Sequence, residues 1–294
     1  IGSLKGYVTV DAAWASGGNM GTARDALAGA GLQTAGLGFG GQVAPPPAAY
    51  QAKTEEYNGL TWAEQNDLSI ARNILGGAGT QTAGLACGEH PGTTAIASTE
   101  EYGGTSWTSG GDLGTARYFL TSTGTQTAGL AIGGSPPASA GLTNVEEYDG
   151  SSWTNGGALP AANRSSGSAG SQTAGLNFGG YGPGQNVSTT SEYDGSNWTS
   201  GGSMNQKRRT HAGDGLQTAA IALGGYVNSN SALTELYDGS SWSTSANMAT
   251  ARRYLAGCGT QSSALGFAGY APSKTNATEE FTNTANVSKV ITSS

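Results

Sequence analysis

The chain has 294 residues, 11% of them charged, a formal net charge of −7 and an isoelectric point near 4.8. A surface of that sign repels phosphate backbones, which excludes nucleic acid as a partner, and no stretch approaches the ~18 consecutive apolar residues of a membrane span. Hydrophobic content of 36% with 50 Gly would fit a disordered low-complexity chain, but disorder has no use for a strict internal period.

Residues Ile1 to Val10 lack the basic and apolar regions of a signal peptide, and with no initiator Met the chain reads as a processed product or a piece of something longer. From Trp14 onward a period organises the text. Trp recurs at Trp14, Trp62, Trp107, Trp153, Trp198 and Trp242, each followed nineteen residues later by a Gln, from Gln33 to Gln261. Six copies of a 44 to 48 residue unit predict one closed domain with a core at about 5 to 282, leaving 283 to 294 as a tail or a link.

Within a unit the elements follow in order. After each Trp come Gly-Gly, a small apolar residue such as Met20 or Leu113, and an Arg, read at Arg24, Arg72, Arg117, Arg164, Arg208 and Arg252. A short strand A follows, for example Ala26 to Ala30 or Tyr118 to Thr123. Next, in Gln-Thr-Ala-Gly-Leu-x-x-Gly-Gly, the large Leu37 and Phe39 alternate with Gly36 and Gly38, a period of two that predicts strand B with one bare face. Thr-Glu-Glu-Tyr makes strand C, dipeptides such as Asn58-Gly59 and Asp149-Gly150 make a hairpin turn, and the Trp opens strand D. Four short antiparallel strands per repeat, with a Gly pair and an aromatic anchor, is the pattern of a propeller blade.

These residues carry a family resemblance. Gly-Gly closing strand B, Tyr on C, Trp on D and Arg before the next A resemble the kelch repeat over about residues 5 to 282, with a Tyr-to-Trp interval of five residues that is tighter than the usual kelch turn. The nearly verbatim Gly-Thr-Gln-Thr-Ala-Gly-Leu and Glu-Glu-Tyr-Asp-Gly-Ser-Ser-Trp segments are similar to kelch-like proteins of marine bacteriophages. That resemblance implies a virion surface or tail-fibre component.

The fold expected is therefore all-β, a six-bladed kelch-like β-propeller. Phe281 has no Trp after it and Trp14 no clear Tyr before it, so the N-terminal strand through Trp14 is expected to complete the C-terminal blade and close the ring. Trp to Gln is constant, whereas Gln to the aromatic of strand C runs 24, 21, 22, 21, 20 and 20 residues, which places every insertion in the B to C loop. One face of the disc is then variable and the other nearly constant.

The variable loops carry Pro45, Pro46, Pro47, Pro91, Pro136 and Pro137 with aromatics and amides. Stiff loops lose less entropy on binding, and rings with amides suit sugar faces and edges. Tyr50, His90, Tyr181, Asn186, Tyr226, Asn228, Tyr270 and Lys274 are the candidate ligand contacts, against the competing reading that Tyr181, Tyr226 and Tyr270 simply cap the core. Glu56, Glu101, Glu147, Glu192 and Glu280, and the Glu one position earlier at Glu55, Glu100, Glu146, Glu235 and Glu279, recur with the Arg. A catalytic site needs one constellation, so a charge repeated in every blade reads as structural ion pairing.

Lys207-Arg208-Arg209 beside His211 is read as a solvated D to A loop rather than an anion site. His90 beside Glu89 and near Cys87 lacks the three or four convergent ligands of zinc, so no metal or cofactor is expected, and Cys87 and Cys258 read as two buried thiols. The sialidase Asp-box spacing is one residue short and no serine-hydrolase elbow occurs. The expected function is non-enzymatic: a virion-surface or extracellular recognition module that binds host-surface glycan through the B to C loops. The alternative is a structural component that docks other virion or surface proteins through the constant face.

Overall fold

Alternation of bulky and absent side chains in strand B decides how the sheets stack. In Ala35–Phe39, Leu37 and Phe39 are wholly buried on one side, while a β-carbon on Gly36 or Gly38 would meet Leu265 or Phe267 of another sheet within 3.0 Å. The same fit recurs where Leu37 fills the space at Gly84 and Leu85 the space at Gly129. Each sheet thus presents a large face to a bare one, which lets neighbouring backbones approach closely.

The computed structural model of the chain describes residues 5–8, 11–43, 49–89, 94–136, 141–283 and 287–290; for 5–8, 287–290 and Glu89 it describes the backbone alone. Six sheets of four antiparallel strands make a six-bladed β-propeller. The A strands are Ala28–Leu32, Gly76–Thr80, Thr121–Thr125, Gly167–Gly170, Ala212–Leu216 and Ala256–Thr260, and they number the blades 1 to 6. Each A strand lies against the next in cyclic order around the axis, including blade 6 against blade 1. In blade 3, strand A is followed outward by Ala128–Ile132, Val145–Tyr148 and Trp153–Asn155.

The ring closes as expected from the two incomplete repeats. Ala13–Ser16 is strand D of blade 6 and pairs with Thr278–Thr282, setting Trp14 opposite Phe281. The backbone of Lys5–Val8 also pairs with Val287–Val290, so part of the segment read as a tail is joined to the N-terminus.

Two boundaries differ from expectation. Strand A begins at Ala28 and Thr121, not at Ala26 and Tyr118, because the second residue before it has a positive φ, 56° at Ala26 and 57° at Phe119, which breaks an extended strand. The C to D turn is a four-residue loop: Asp149 N–H donates to Ser152 O, and Asp149 Oδ1 accepts from the N–H groups of Ser151 and Ser152. Gly150 sits there at φ 90°, which explains the recurrent Gly.

Polar ties cross every seam from one blade to the preceding one. The carboxamide of each repeat Gln donates to two backbone carbonyls: Gln81 to Gly36 and Tyr57, Gln126 to Gly84 and Tyr102, and, across the closing seam, Gln33 to Ala264 and Phe281. Five Tyr hydroxyls donate to Glu on the preceding strand C: Tyr57 to Glu280, Tyr102 to Glu56, Tyr148 to Glu101, Tyr193 to Glu147 and Tyr237 to Glu192. At the remaining seam both partners are replaced, by Phe281 and Leu236, which pack in one apolar cluster. The indole N–H of Trp62, Trp107, Trp153, Trp242 and Trp14 donates to a Thr hydroxyl on the preceding strand C, and where that Thr is Val145, Trp198 turns to Gly157 O.

The second row of Glu works inside the blade. Arg24, Arg72, Arg117, Arg208 and Arg252 are 0% exposed and pair with Glu55, Glu100, Glu146, Glu235 and Glu279. Arg164 is not the sixth. Counting ten residues from Trp153 gives Asn163, and Arg164 lies one position on, outside the buried row.

Removing one partner of such a pair strands the other charge in the core. Arg117→Ala should therefore lower the unfolding free energy by about 3–5 kcal/mol, and adding Glu146→Ala should recover part of that loss. Chemical denaturation measures both; unchanged melting of the single variant would contradict the pairing.

Candidate functional site

The D to A loops meet at the axis in a closed ring of six backbone hydrogen bonds. Ala26 N–H donates to Tyr254 O, Ile74 to Ala26, Phe119 to Ile74, Ser165 to Phe119, Thr210 to Ser165 and Tyr254 to Thr210, at 2.8–3.1 Å. All six residues have φ between 53° and 57°, and none is Gly. For β-branched Ile74 and Thr210 this conformation is strained by about 1 kcal/mol or more, and the closed ring of bonds holds it in place.

Side chains of this ring cap the channel. Phe119 of blade 3 and Tyr254 of blade 6 stack across the axis with centroids 6.4 Å apart. Behind them the channel is walled by the Gly, Ala and Ser of the A strands. Outside them the residue before each ring position forms an arc with the residue that follows strand B, to which it is bridged: Arg164 to Tyr181, Arg209 to Tyr226, Arg253 to Tyr270. The guanidinium of Arg164 lies over Phe119 and Tyr181, that of Arg209 over Tyr181 and Tyr226, and that of Arg253 over Tyr226 and Tyr270, at 4.7–5.8 Å.

Among the described residues no carboxylate lies within ion-pairing distance of these three guanidiniums. Burial raises the pKa of the Tyr254 hydroxyl while Arg209, Arg253 and Arg164 oppose that shift, so their fields converge on it. A cavity of about 250 Å³ opens here, lined by Phe119, Arg164, Ser165, Tyr181, Arg209 and Tyr254. Arg209 gives one N–H to Asn186 Oδ1 at 3.3 Å, and planar cations held by aromatic faces without a paired carboxylate are suited to oxyanions.

The other half of the face differs. Blade 1 has Asp25 bridged to Gln42, and Lys274 spans the seam from blade 6 to bind Asp25 Oδ1 at 3.1 Å and Gln42 O at 3.2 Å.

The candidate contacts separate accordingly. Tyr181, Tyr226 and Tyr270 stand together in the arc. Asn186 donates to the carbonyls of Tyr226 and Val227, and Asn230 likewise to Tyr270 and Ala271, so these amides and Lys274 tie one B to C loop to the next. Tyr50 is half-buried in the strand pair Gln42–Val43 with Ala49–Tyr50, and Asn228 is exposed. His90, Pro45, Pro46, Pro47, Pro91 and Pro137 lie outside the described residues.

The basic cluster is not a solvated loop. Arg208 is buried on Glu235, Arg209 belongs to the arc, His211 is buried, and only Lys207 is exposed. Alternation of a residue facing the core with one facing the axial mouth splits the run. The sequence reading put Arg164 in the structural row and Arg209 in a solvated loop and did not single out Arg253, Phe119 or Tyr254; the signal was the ten-residue Trp to Arg interval, which marks Arg209 and Arg253 as second residues of a doublet. No group of three metal-ligating side chains occurs among the described residues.

The fold and this mouth define a propeller with a cationic, aromatic rim on its variable face. No protein-family model matches the chain, and no curated protein matches it.

Two titratable groups, the buried His211 and the half-buried Asp214, line the channel with opposite signs. Burial, reinforced by Arg208, holds the His211 pKa down at about 3 against an ordinary 6.5, so between those values the unfolded chain binds more protons and stability rises with pH. Burial pushes Asp214 up to about 7 from 3.8, against donation by Gly215 and Gly259 N–H, so between those values the folded chain binds more protons and stability falls as pH rises. The slopes oppose one another where the windows overlap. Asp214→Asn should shift the dependence upward from pH ~4 to ~6.5, measured as urea midpoints at each pH, and a profile parallel to the wild type would refute the assignment.

Proposed function

We propose that the protein is a non-enzymatic recognition module, a kelch-like propeller of a bacteriophage virion surface or tail fibre, that binds host-surface glycan at the variable face. The observation that carries this reading is the arc of Arg164, Arg209 and Arg253, stacked between tyrosines and uncompensated by carboxylate among the described residues. On a chain of net charge −7 such a concentration of guanidinium has a local use. A carboxylate- or sulfate-bearing glycan would supply the missing anions, while Tyr181 and Tyr226, each with two guanidiniums over its ring, hold those cations in position. The repeated sequence segments support the phage placement by resemblance.

A second reading is favoured by the opposite face. Leu32, Leu60 and Leu216 are 53%, 77% and 65% exposed; Leu32 and Leu216 end A strands beside the A to B turns and Leu60 lies in a C to D turn, where a docked neighbour would cover them. In that reading the protein is a structural component mounted by its constant face.

Glycan arrays read with the intact chain separate the two. Acidic glycans should bind more tightly than their neutral counterparts, binding should weaken with salt, and Arg209→Ala or Arg253→Ala should cost about tenfold in affinity each. Equal retention of acidic and neutral glycans, or no glycan bound while Leu60→Glu blocks co-assembly with particle proteins, would replace the first reading by the second.

A further inference from the structure

Blade 4 departs from the others at one place, and three residues depart together. In the other five blades the Glu that pairs with the buried Arg also accepts a backbone N–H from the residue three before that Arg: Gly21, Ser69, Gly114, Asn205 and Ala249. In blade 4 the Arg position is Asn163, the Glu position is Ser191, and the N–H position is Pro160, which has no N–H to donate. Cation, anion and donor are all absent, so no stranded charge results. A fourth change accompanies them: Asn177 stands on strand B where the other blades have Gly38, Ala86, Ala131, Ala222 and Gly266.

The volume the guanidinium and carboxylate would fill is left open as a cavity of about 350 Å³ on the variable face, under the strand pair Tyr181–Gly182 with Gln185–Asn186. Its inner wall carries Asn163 and Asn177, both more than nine-tenths buried. Asn163 Nδ2 donates to Asn177 Oδ1 at 3.2 Å and Gly179 O at 2.8 Å, which leaves Asn163 Oδ1 without a partner. Ser191 adds a hydroxyl, and Pro160, Pro183 and Val187 supply apolar surface.

We propose that this cavity is a binding site for a neutral, hydroxyl-rich ligand the size of one sugar ring. No ionisable side chain lines it, so a charged ligand would be desolvated without a counter-charge, which is strongly unfavourable. The hydroxyls of Ser191, Ser200 and Ser203 on its wall call for O–H or N–H groups, and the prolines and Val187 for C–H faces. The volume lies at the low end of small-ligand pockets. No arginine or tyrosine of the arc lines the cavity, although Tyr181 and Asn186 of the strand pair above it touch the arc.

Titration calorimetry and ligand-observed NMR on the intact chain, with glucose, galactose, mannose and N-acetylglucosamine as probes and glucuronate as the charged control, test the assignment. At least one neutral sugar should saturate one site per chain, with glucuronate bound more weakly. Two variants should each weaken that sugar about tenfold or more. One is Pro160→Gly with Asn163→Arg and Ser191→Glu, which rebuilds the ion pair of the other blades; the second, Ser200→Trp, blocks the exposed rim and leaves the inner wall alone. Arg253→Ala, whose guanidinium touches neither strand of that pair, should leave the neutral sugar unaffected, so loss of the arc's ligand and loss of this one are distinguishable. Absence of binding by every neutral probe, meaning water only, or full binding by both variants, would overturn the proposal.

Discussion

A side-chain amide that gives both its hydrogens to the carbonyls of the preceding sheet is the one side-chain contact present in the same form at all six seams, from Gln33 to Gln261. Its two acceptors lie on different strands, B and C, so it fixes both the distance and the tilt of neighbouring blades. The geometry works only if strand B offers a nearly bare face to the Leu of the blade before it. Bare face and fixed amide together explain why the Trp to Gln interval never changes while the B to C loop does.

Every other side-chain tie is absent or altered somewhere, and the manner of its absence is informative. Tyr and Glu are lost together as Phe281 and Leu236; Arg, Glu and the donor N–H are lost together at Asn163, Ser191 and Pro160; Val145 replaces a Thr and Trp198 finds a carbonyl instead. A buried polar group without its partner costs more than its bond is worth, whereas removing both sides is nearly neutral. Repeats of one chain thus act as internal controls: they show which groups belong to one interaction.

The fold was legible because its determinants are local and repeated: a period-two strand, a Gly in the C to D turn, an aromatic per blade. Closure was legible from the unmatched Trp14 and Phe281. The arc was not. Arg164 follows a Trp at nearly the spacing of the buried arginines, and only coordinates show that Asn163 occupies the core position while Arg164 faces the mouth. Asn186 and Lys274 have the chemistry of ligand contacts, yet their groups are engaged by the neighbouring loop, a long-range pairing that no spacing in the text reports. Tyr181 belongs both to the bridge and to the arc, so capping and presenting a ring were never exclusive.

The hexagon of hydrogen bonds at the axis is made entirely by main-chain atoms, and the six residues that form it are Ala26, Ile74, Phe119, Ser165, Thr210 and Tyr254. Backbone geometry there is indifferent to side-chain identity within the limits set by a left-handed conformation. The entrance can therefore be re-upholstered one position at a time, from methyl to phenol, without loosening the frame that holds it, which gives a lineage a rigid socket whose lining is free to drift toward new ligands.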